Sequence, residues 1–204
     1  MNSEIIKTFS AKDLCSRSCM QIKMFAEHPE VRPQPNGNMN NGVSFQHEIA
    51  LSTEGLIGEE MRGYYISDGI CINFANDIVC KNKIMEVKSL NREAEEWYFN
   101  SCVLQCAFYS ALLHKSNKKL ITAKFYSDMG NPVIETTIDN DFMYLLRFGN
   151  DTYKIDVTDN DFIVEFFLNK AKASLEWDTA KEFDKIHKHK EYSELKDYFI
   201  VTKQ

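Results

Sequence analysis

The sequence lacks any apolar run of the ~18 residues that a membrane-spanning helix needs, and its first residues lack the apolar stretch of a secretory signal. It is also poor in turn residues, with 8 glycines and 4 prolines among 204 residues, which excludes collagenous and low-complexity chains. No internal repeat is visible, and the P-loop pattern G-x-x-x-x-G-K-[ST] is absent. These absences favour a soluble, cytoplasmic protein without a P-loop nucleotide-binding motif.

The chain has no excess of positive charge. Lys and Arg number 24 against 30 Asp and Glu, so the formal net charge is −6. This balance disfavours a protein that coats nucleic acid through bulk positive charge, although a local basic groove stays compatible with it.

Cysteine is present without the usual pairing motif, because no C-x-x-C occurs among the six cysteines. With no export signal, we interpret them as reduced thiols rather than three disulfides. A metal site built from Cys15, Cys19, Cys102 and Cys106 stays open, since they form two pairs spaced i,i+4, but buried thiols are far commoner.

What the sequence does have is the composition of a folded protein, with 44% hydrophobic and 26% charged residues. Its length fits one domain over residues 1–204. The order of predicted elements is a helical part, a β-rich part, a central helix, a second β-rich part and a closing helix. The expected fold is an α/β or α+β domain with a central mixed sheet flanked by helices.

In the first half, the pattern predicts one helix from Ser10 to Glu27, then a proline- and asparagine-rich loop that ends at Gly42, and a helix that carries His47. From Gly63 a strand is predicted, followed by a turn at N-F-A-N-D and a strand I-M-E-V-K-S.

In the second half, the longest predicted helix runs from Leu90 to His114, and its apolar second part indicates a buried core helix. Two short strands (LITAKFYS and PVIETTI) follow it, and then a hairpin over Gly149, Asn150 and Asp151. One helix is expected to close the chain from about Asp159.

Two charged residues of the strand I-M-E-V-K-S carry the first hint of chemistry. Glu86 and Lys88 are two residues apart and project from the same face of a strand. If Asp68 comes from a neighbouring hairpin strand, two carboxylates converge, a set that suits Mg²⁺ or Mn²⁺. Asp77 is a rival, but it lies in the turn-like N-F-A-N-D, so we favour Asp68. Ordinary ion pairs or solvated strand residues would give the same pattern.

Three further residues could belong to such a site. Gln105 and Tyr109 lie one turn apart on one face of the central helix and need polar partners there. His47 is either a metal ligand or an ordinary surface histidine.

In chain order, four short motifs together resemble the PD-(D/E)xK nuclease superfamily, and more narrowly its RecB-type branch with Q-x-x-x-Y. They are G-V-S-F-Q-H (Gly42 to His47), I-S-D-G-I (Ile66 to Ile70), M-E-V-K-S (Met85 to Ser89) and Q-C-A-F-Y (Gln105 to Tyr109). The similarity covers about residues 9–113, and the strands and helix of 120–204 are compatible with it. The resemblance implies a restriction-endonuclease-like core.

The same resemblance implies roles for individual residues. His47, Asp68 and Glu86 would ligate Mg²⁺ or Mn²⁺, together with the carbonyl of Val87. Lys88 would be the catalytic lysine, with Glu86 and Asp68 in the catalytic set. Gln105 and Tyr109 would contact the nucleic-acid backbone or brace the site.

Some members of that branch hold an iron–sulfur cluster with one N-terminal cysteine and three near the C-terminus. Cys19 matches the first position, but no cysteine follows Cys106. An iron–sulfur cluster of that type is therefore not expected here.

The implied activity is divalent-metal-dependent hydrolysis of DNA phosphodiester bonds, by an exonuclease or a nuclease acting on ends or single strands in repair, recombination or phage replication. A non-catalytic subunit on the same fold and an RNA endonuclease are the alternatives. A phage-encoded protein would act in the host cytoplasm, and a protein partner or self-association would supply targeting. Two sets of lysines are the expected source of local positive charge: Lys115, Lys118, Lys119 and Lys124, and Lys181, Lys185, Lys188 and Lys190.

Overall fold

A computed structural model describes residues 7–33, 37–90, 94–116, 118–121, 134–188 and 190–204. Within these residues, nine strands form a single sheet. Their bounds are β1 Lys7–Ser10, β2 Leu56–Ser67, β3 Ile70–Cys80, β4 Lys83–Lys88, β5 Lys119–Ile121, β6 Glu135–Thr137, β7 Met143–Phe148, β8 Asp151–Val157 and β9 Phe199–Lys203.

The sheet is mixed, as the sequence predicts. Its strand order is β6-β5-β2-β3-β4-β7-β8-β9, and β1 pairs with β3 outside this path. The pairs β1–β3 and β4–β7 are parallel, and the other pairs are antiparallel. β4, which carries Glu86 and Lys88, therefore lies inside the sheet between β3 and β7.

Seven α-helices accompany the sheet in the described part of the chain. They are α1 Ala11–Ser16, α2 Cys19–Glu27, α3 Gly37–Leu51, α4 Glu96–Lys115, α5 Asn160–Ala173, α6 Trp177–His187 and α7 Glu191–Leu195. The predicted α/β class is confirmed.

The longest helix, α4, supplies the centre of the main core. Its residues from Cys102 to Leu113 are buried except Gln105, which is partly exposed. The Phe108 ring stacks on Phe167 of α5 with centroids 4.0 Å apart. The buried helix therefore lies between the sheet and α5, and Gln105 marks a polar position in an apolar surface.

The predicted helix from Ser10 to Glu27 is in fact two helices. Ser18 forms a capping box with Gln21: the Ser18 hydroxyl accepts from the Gln21 N–H at 3.1 Å, and the Ser18 N–H donates to Gln21 Oε1 at 3.0 Å. This local hydrogen bonding starts a new helix and breaks the one before it.

The predicted turn at N-F-A-N-D is wrong, because these residues lie within β3. The chain turns instead at Asp68 and Gly69, whose φ values are 49° and 73°. Two successive positive φ values are typical of a two-residue hairpin, and Asp-Gly is a preferred pair for it. Asp68 is therefore a turn residue, and Asp77 is a strand residue.

Other boundaries also differ. α3 begins at Gly37, within the segment predicted as loop, and β2 begins at Leu56 rather than Gly63. The closing helix is split into α5 and α6, and α7 and β9 follow them. The predicted hairpin between β7 and β8 is confirmed, with Gly149 at φ 58°.

All six cysteines are buried and free. Within the described residues, no helix combines the length and the apolar character needed to cross a membrane.

Candidate functional site

A cavity of about 370 Å³ opens where β2, β3 and β4 meet α1 and α4. It is lined by charged and polar side chains from these five elements. They include Lys12, Glu60, Arg62, Asp77, Glu86, Lys88, Gln105 and Tyr109.

Glu86 and Lys88 face this cavity together because they are two residues apart on β4. Lys88 Nζ donates to Glu86 Oε1 at 2.5 Å, and the Glu86 side chain is only 3% exposed. A carboxylate buried in the middle of a sheet is costly unless it is paired. Lys88 therefore provides the countercharge that this position requires.

The central helix braces the same carboxylate from the other side. Gln105 Nε2 donates to Glu86 Oε1 at 2.7 Å, and buried Tyr109 lines the cavity one turn further along α4. Both hydrogen bonds go to Oε1, whereas Glu86 Oε2 is buried and has no hydrogen-bond partner among the described residues. One oxygen of the carboxylate is thus left free to bind a ligand.

Asp77 is the second carboxylate of the site. The backbone ladder between β3 and β4 pairs Val79 with Ile84 and Ile78 with Met85. Beyond Met85 the Asp77 side chain takes the place of a backbone acceptor, because the Val87 N–H donates to Asp77 Oδ2 at 2.7 Å. The carboxyl group of Asp77 is therefore held beside the backbone of Val87 and close to Glu86.

An irregularity in β3 orients the Asp77 side chain toward the cavity. Ile72 and Phe74 belong to the main core, whereas Ile78 belongs to a second cluster with Ala50 and Val87. Residues at even spacing share a face in a regular strand, so the alternation breaks between Phe74 and Ile78. Glu60, which lies opposite Asp77 in the β2–β3 register, has a φ of 52°.

The charges of Asp77, Glu86 and Lys88 shift the pKa values of Asp77 and Lys88. The pKa of the Asp77 carboxyl is raised to about 8, chiefly by burial and then by the negative charge of Glu86, against the opposing effects of Lys88 and the Val87 N–H. Burial lowers the pKa of Lys88, but Glu86 and Asp77 outweigh it and hold that pKa well above its ordinary value. Among these three groups, one ammonium group therefore lies beside two carboxyl groups.

The structure does not bring Asp68 to this cavity, and the preference for Asp68 over Asp77 is wrong on geometry. Asp68 is exposed at the β2–β3 turn, where Lys172 Nζ of α5 donates to its Oδ2 at 2.8 Å. The strand from Ile70 to Asp77 alone spans about 23 Å at ~3.3 Å per residue. Asp68 therefore makes a surface ion pair far along β3 from Glu86.

His47 also lies elsewhere than the sequence predicts. Its ring is 59% exposed, and Nδ1 lies 3.0 Å from Glu59 Oε1. The preceding residue, Gln46, is the buried one, and its Nε2 donates to the Asp77 carbonyl at 3.2 Å and to Glu60 Oε1 at 3.3 Å. Gln46 shares a helix face with Ala50, which is fully buried, and that spacing was the available signal for its inward position.

The neighbouring thiols are neutral. Burial raises the pKa of Cys102 to about 11 and that of Cys106 well above its ordinary value. Neither thiol is therefore a ready thiolate nucleophile or metal ligand.

The donor set suits a hard divalent cation. The described residues contain no group of three His, Cys, Asp or Glu side chains that could hold a metal by themselves. Mg²⁺, however, commonly uses one or two carboxylates and completes its shell with water and substrate phosphates. Asp77 and the free Oε2 of Glu86 provide two such carboxylates.

Replacing Asp77 with Asn is expected to stabilise the metal-free protein at alkaline pH. The carboxyl group of the unfolded chain ionises near 3.8, but the folded one ionises near 8, so the unfolded chain loses this proton first. The stability that the protonated form provides therefore falls as pH rises from about 4 to 8. In EDTA at pH 8 the Asn variant should melt a few degrees higher than the wild type, and less so at pH 5.

Circular dichroism melts at both pH values measure this effect. Asp68→Asn serves as the control and should show no such gain, because its carboxylate is exposed. An equal melting temperature for wild type and Asp77→Asn at pH 8 would contradict a strained acidic site.

Comparisons with known proteins do not identify a family for this chain. No family model and no curated protein matches the chain. A weak structural likeness exists to a protein described as "Crystal structure of SSO0001", with 15% identity, a TM-score of 0.46, and coverage of 82% of this chain and 75% of that chain. At this level the likeness assigns neither a family nor an activity.

Proposed function

We propose that the protein is a Mg²⁺- or Mn²⁺-dependent nuclease of the PD-(D/E)xK type that hydrolyses DNA phosphodiester bonds. The observation that supports this most is the buried Glu86 beside a polar cavity, which Lys88 and Gln105 both bind through one oxygen while the other oxygen is buried without a hydrogen-bond partner among the described residues. A purely structural ion pair would not need a carboxylate oxygen left free beside a second acidic group.

In this proposal, Asp77 and Glu86 hold the metal, with the backbone of Val87 beside them. Asp77 takes the role that the resemblance to the PD-(D/E)xK superfamily implied for Asp68, because of these two carboxylates Asp77 is the one beside Glu86. A bound divalent cation would polarise the phosphate and lower the pKa of a bound water.

Other side chains of the cavity would stabilise charge, position Glu86 and bind phosphates. Lys88 keeps its proton at neutral pH, so its ammonium group can stabilise negative charge on the phosphate in the transition state. Gln105 holds the Glu86 carboxylate in position through its hydrogen bond to Oε1. Lys12 and Arg62 line the cavity from α1 and β2 and can bind flanking phosphates.

The lysine sets expected from the sequence contribute less to this cavity. Lys119 Nζ pairs with Glu135 at 3.1 Å and Lys185 Nζ with Glu182 at 2.6 Å, while Lys115 pairs with Asp161. Lys124 lies outside the described residues. The cations that line the cavity are instead Lys12, Arg62 and Lys88.

Lys88→Ala is expected to lower the cleavage rate by roughly 10²–10³-fold, the loss typical of removing one transition-state charge stabiliser. End-labelled linear DNA, circular DNA, single-stranded DNA and RNA are incubated with Mn²⁺, and products are resolved on gels. Cleavage of linear but not circular DNA would identify an exonuclease, and EDTA should stop cleavage of every substrate.

Lys81→Ala is the matched control, because Lys81 is exposed in the turn between β3 and β4. This variant should cleave each substrate at the wild-type rate. Undiminished cleavage by Lys88→Ala, or cleavage that survives EDTA, would reject the proposed catalysis. A wild-type protein that binds Mn²⁺ but cleaves none of the four substrates would point to a non-catalytic subunit.

A further inference from the structure

A second cavity, of about 330 Å³, is lined like the first by residues of α1 and α4. The end of α1, the first half of α4 and the start of α7 form its walls. Hydroxyl groups of Ser16 and Ser101 line it together with Trp97, Arg17 and Lys190. The wall therefore combines hydrogen-bonding groups, an aromatic ring and two cations.

The charge of this second cavity is positive although the whole chain is acidic. Its acidic lining residue, Glu191, is paired inward with Lys170 Nζ at 2.6 Å, and the Lys170 side chain is 1% exposed. Lys190 makes no ion pair within the described part of the chain. An anion in the cavity would thus meet Lys190, which has no ion-pair partner among the described residues, and Arg17, which is paired with Asp13 through its Nε.

Arg17 is held in a fixed orientation. Its Nε donates to Asp13 Oδ1 at 2.8 Å, and its guanidinium lies 4.7 Å from the centroid of the Phe25 ring. A guanidinium fixed in this way loses little conformational freedom on binding a phosphate through its remaining N–H groups.

The aromatic wall is exposed and oriented. Trp97 is 66% exposed, although a tryptophan of this size is normally mostly buried. Its indole N–H donates to Glu95, and its ring meets Tyr98 edge-on with centroids 5.9 Å apart. An exposed and anchored indole beside cations is the arrangement on which nucleic-acid bases stack.

The two cavities share two helices. α1 presents Lys12 to the first cavity and Ser16 and Arg17 to the second. On α4, Trp97 and Gln105 are two i,i+4 steps apart on one side, a distance of about 12 Å along the axis. At the ~3.4 Å rise of a stacked strand, this distance corresponds to roughly three to four nucleotides.

We propose that the second cavity binds a nucleotide of a single-stranded segment of the substrate, with its base stacked on Trp97 and its phosphate held by Arg17 and Lys190. This assignment rests on the proposed function, since it supplies the substrate that the first cavity would cleave. It makes the preferred substrate a single-stranded end or tail at least a few nucleotides long.

The two tryptophans of the chain allow a direct test. Trp177→Phe leaves Trp97 as the only tryptophan, and Trp97→Phe leaves Trp177. Both proteins are titrated in EDTA, without cleavage, with a 5′-phosphorylated ten-nucleotide oligothymidylate. Emission should be quenched by half or more in Trp177→Phe and change little in Trp97→Phe.

A charge reversal tests the phosphate contact. Lys190→Glu should weaken binding of the same oligonucleotide by tenfold or more, whereas Lys181→Glu, an equal charge change at an exposed position of α6, should weaken it by less than threefold. Far-ultraviolet circular dichroism confirms that each variant is folded.

Two results would overturn this proposal: quenching of equal size in both single-tryptophan proteins, or equal weakening by the two charge reversals. Because the titrations are made without metal, the outcome is independent of catalysis. Quenching in a protein that cleaves nothing would reject the nuclease and retain this binding site, while cleavage without quenching of Trp97 would do the reverse.

Discussion

Asp77→Asn is expected to lower metal-dependent cleavage by roughly 10²–10⁴-fold, because the Lewis-acid contribution of a bound metal amounts to several kcal/mol and each ~1.4 kcal/mol is tenfold in rate. The variant keeps the shape of the side chain and can still accept the Val87 N–H bond through its amide oxygen. It removes the carboxyl group that would bind the proposed cation. Measured at saturating DNA and Mn²⁺, the loss should appear in kcat, and Mn²⁺ binding measured by calorimetry should weaken in parallel.

Asp68→Asn is the control that separates geometry from sequence pattern. Its carboxylate pairs with Lys172 at the surface, so the variant should cleave within about twofold of the wild-type rate. The reverse result, loss with Asp68→Asn and retention with Asp77→Asn, would mean that the metal is not bound between β3 and β4. The same Asp77→Asn protein should also be the more stable one at pH 8 in EDTA, so its inactivity could not be attributed to unfolding.

Lys170→Ala is expected to destabilise the fold by about 3–5 kcal/mol, the loss typical of breaking a buried ion pair from one side. Lys170 Nζ donates to Glu191 Oε1 and to the Leu14 carbonyl, both at 2.6 Å, and thereby joins α5 to α7 and α1. Without the ammonium group, Glu191 is left with an uncompensated charge in a buried place. Urea unfolding followed by circular dichroism measures the change.

Lys172 provides the matched control on the same helix. It lies two residues further along α5 and pairs with Asp68, with 45% and 66% of the two side chains exposed. Exposed pairs contribute only about 0–1 kcal/mol, so Lys172→Ala should unfold within about 1 kcal/mol of the wild type. A Lys170→Met/Glu191→Leu double variant should recover most of the stability lost in Lys170→Ala, and equal losses in Lys170→Ala and Lys172→Ala would contradict the buried network.

The sequence was sufficient for the parts of the fold that depend on local periodicity. The buried half of α4 and the hairpin at Gly149 follow from an apolar helical run and from turn chemistry, and the structure confirms both. The spacing of Glu86 and Lys88 likewise places both on one face of β4, where the structure brings them together with Gln105 and Tyr109.

The second carboxylate was not predictable in the same way. Asn and Asp in N-F-A-N-D favour a turn in an isolated peptide, but here β2 and β4 pair with β3 on both sides and keep it extended. The inward orientation of Asp77 depends on the break in alternation along β3, which involves the φ of Glu60 on another strand. Such a tertiary irregularity leaves no trace in the local pattern of one sequence.

For His47, the prediction and the structure differ by one position along α3, because the inward-facing residue is Gln46. The motif predicts His47 as a metal ligand, and imidazole commonly binds metals. On α3, however, the helix face that contains the buried Ala50 also contains Gln46, and His47 lies outside this face and is exposed. A motif match defines residue types along the chain, whereas the direction of each side chain depends on which helix face meets the sheet.

The interior position of β4 has a consequence for how the candidate site can be disrupted. Three strands lie beyond β4 on one side of the sheet, and on the other side lie four strands in the strand order and β1, which pairs with β3. Interior strands of a core open only when the whole domain opens, whereas edges and termini fray at little cost. Glu86 and Lys88 therefore keep their relative positions through every partial opening of the edges, and heat or denaturant separates them only with the cooperative unfolding of the entire sheet.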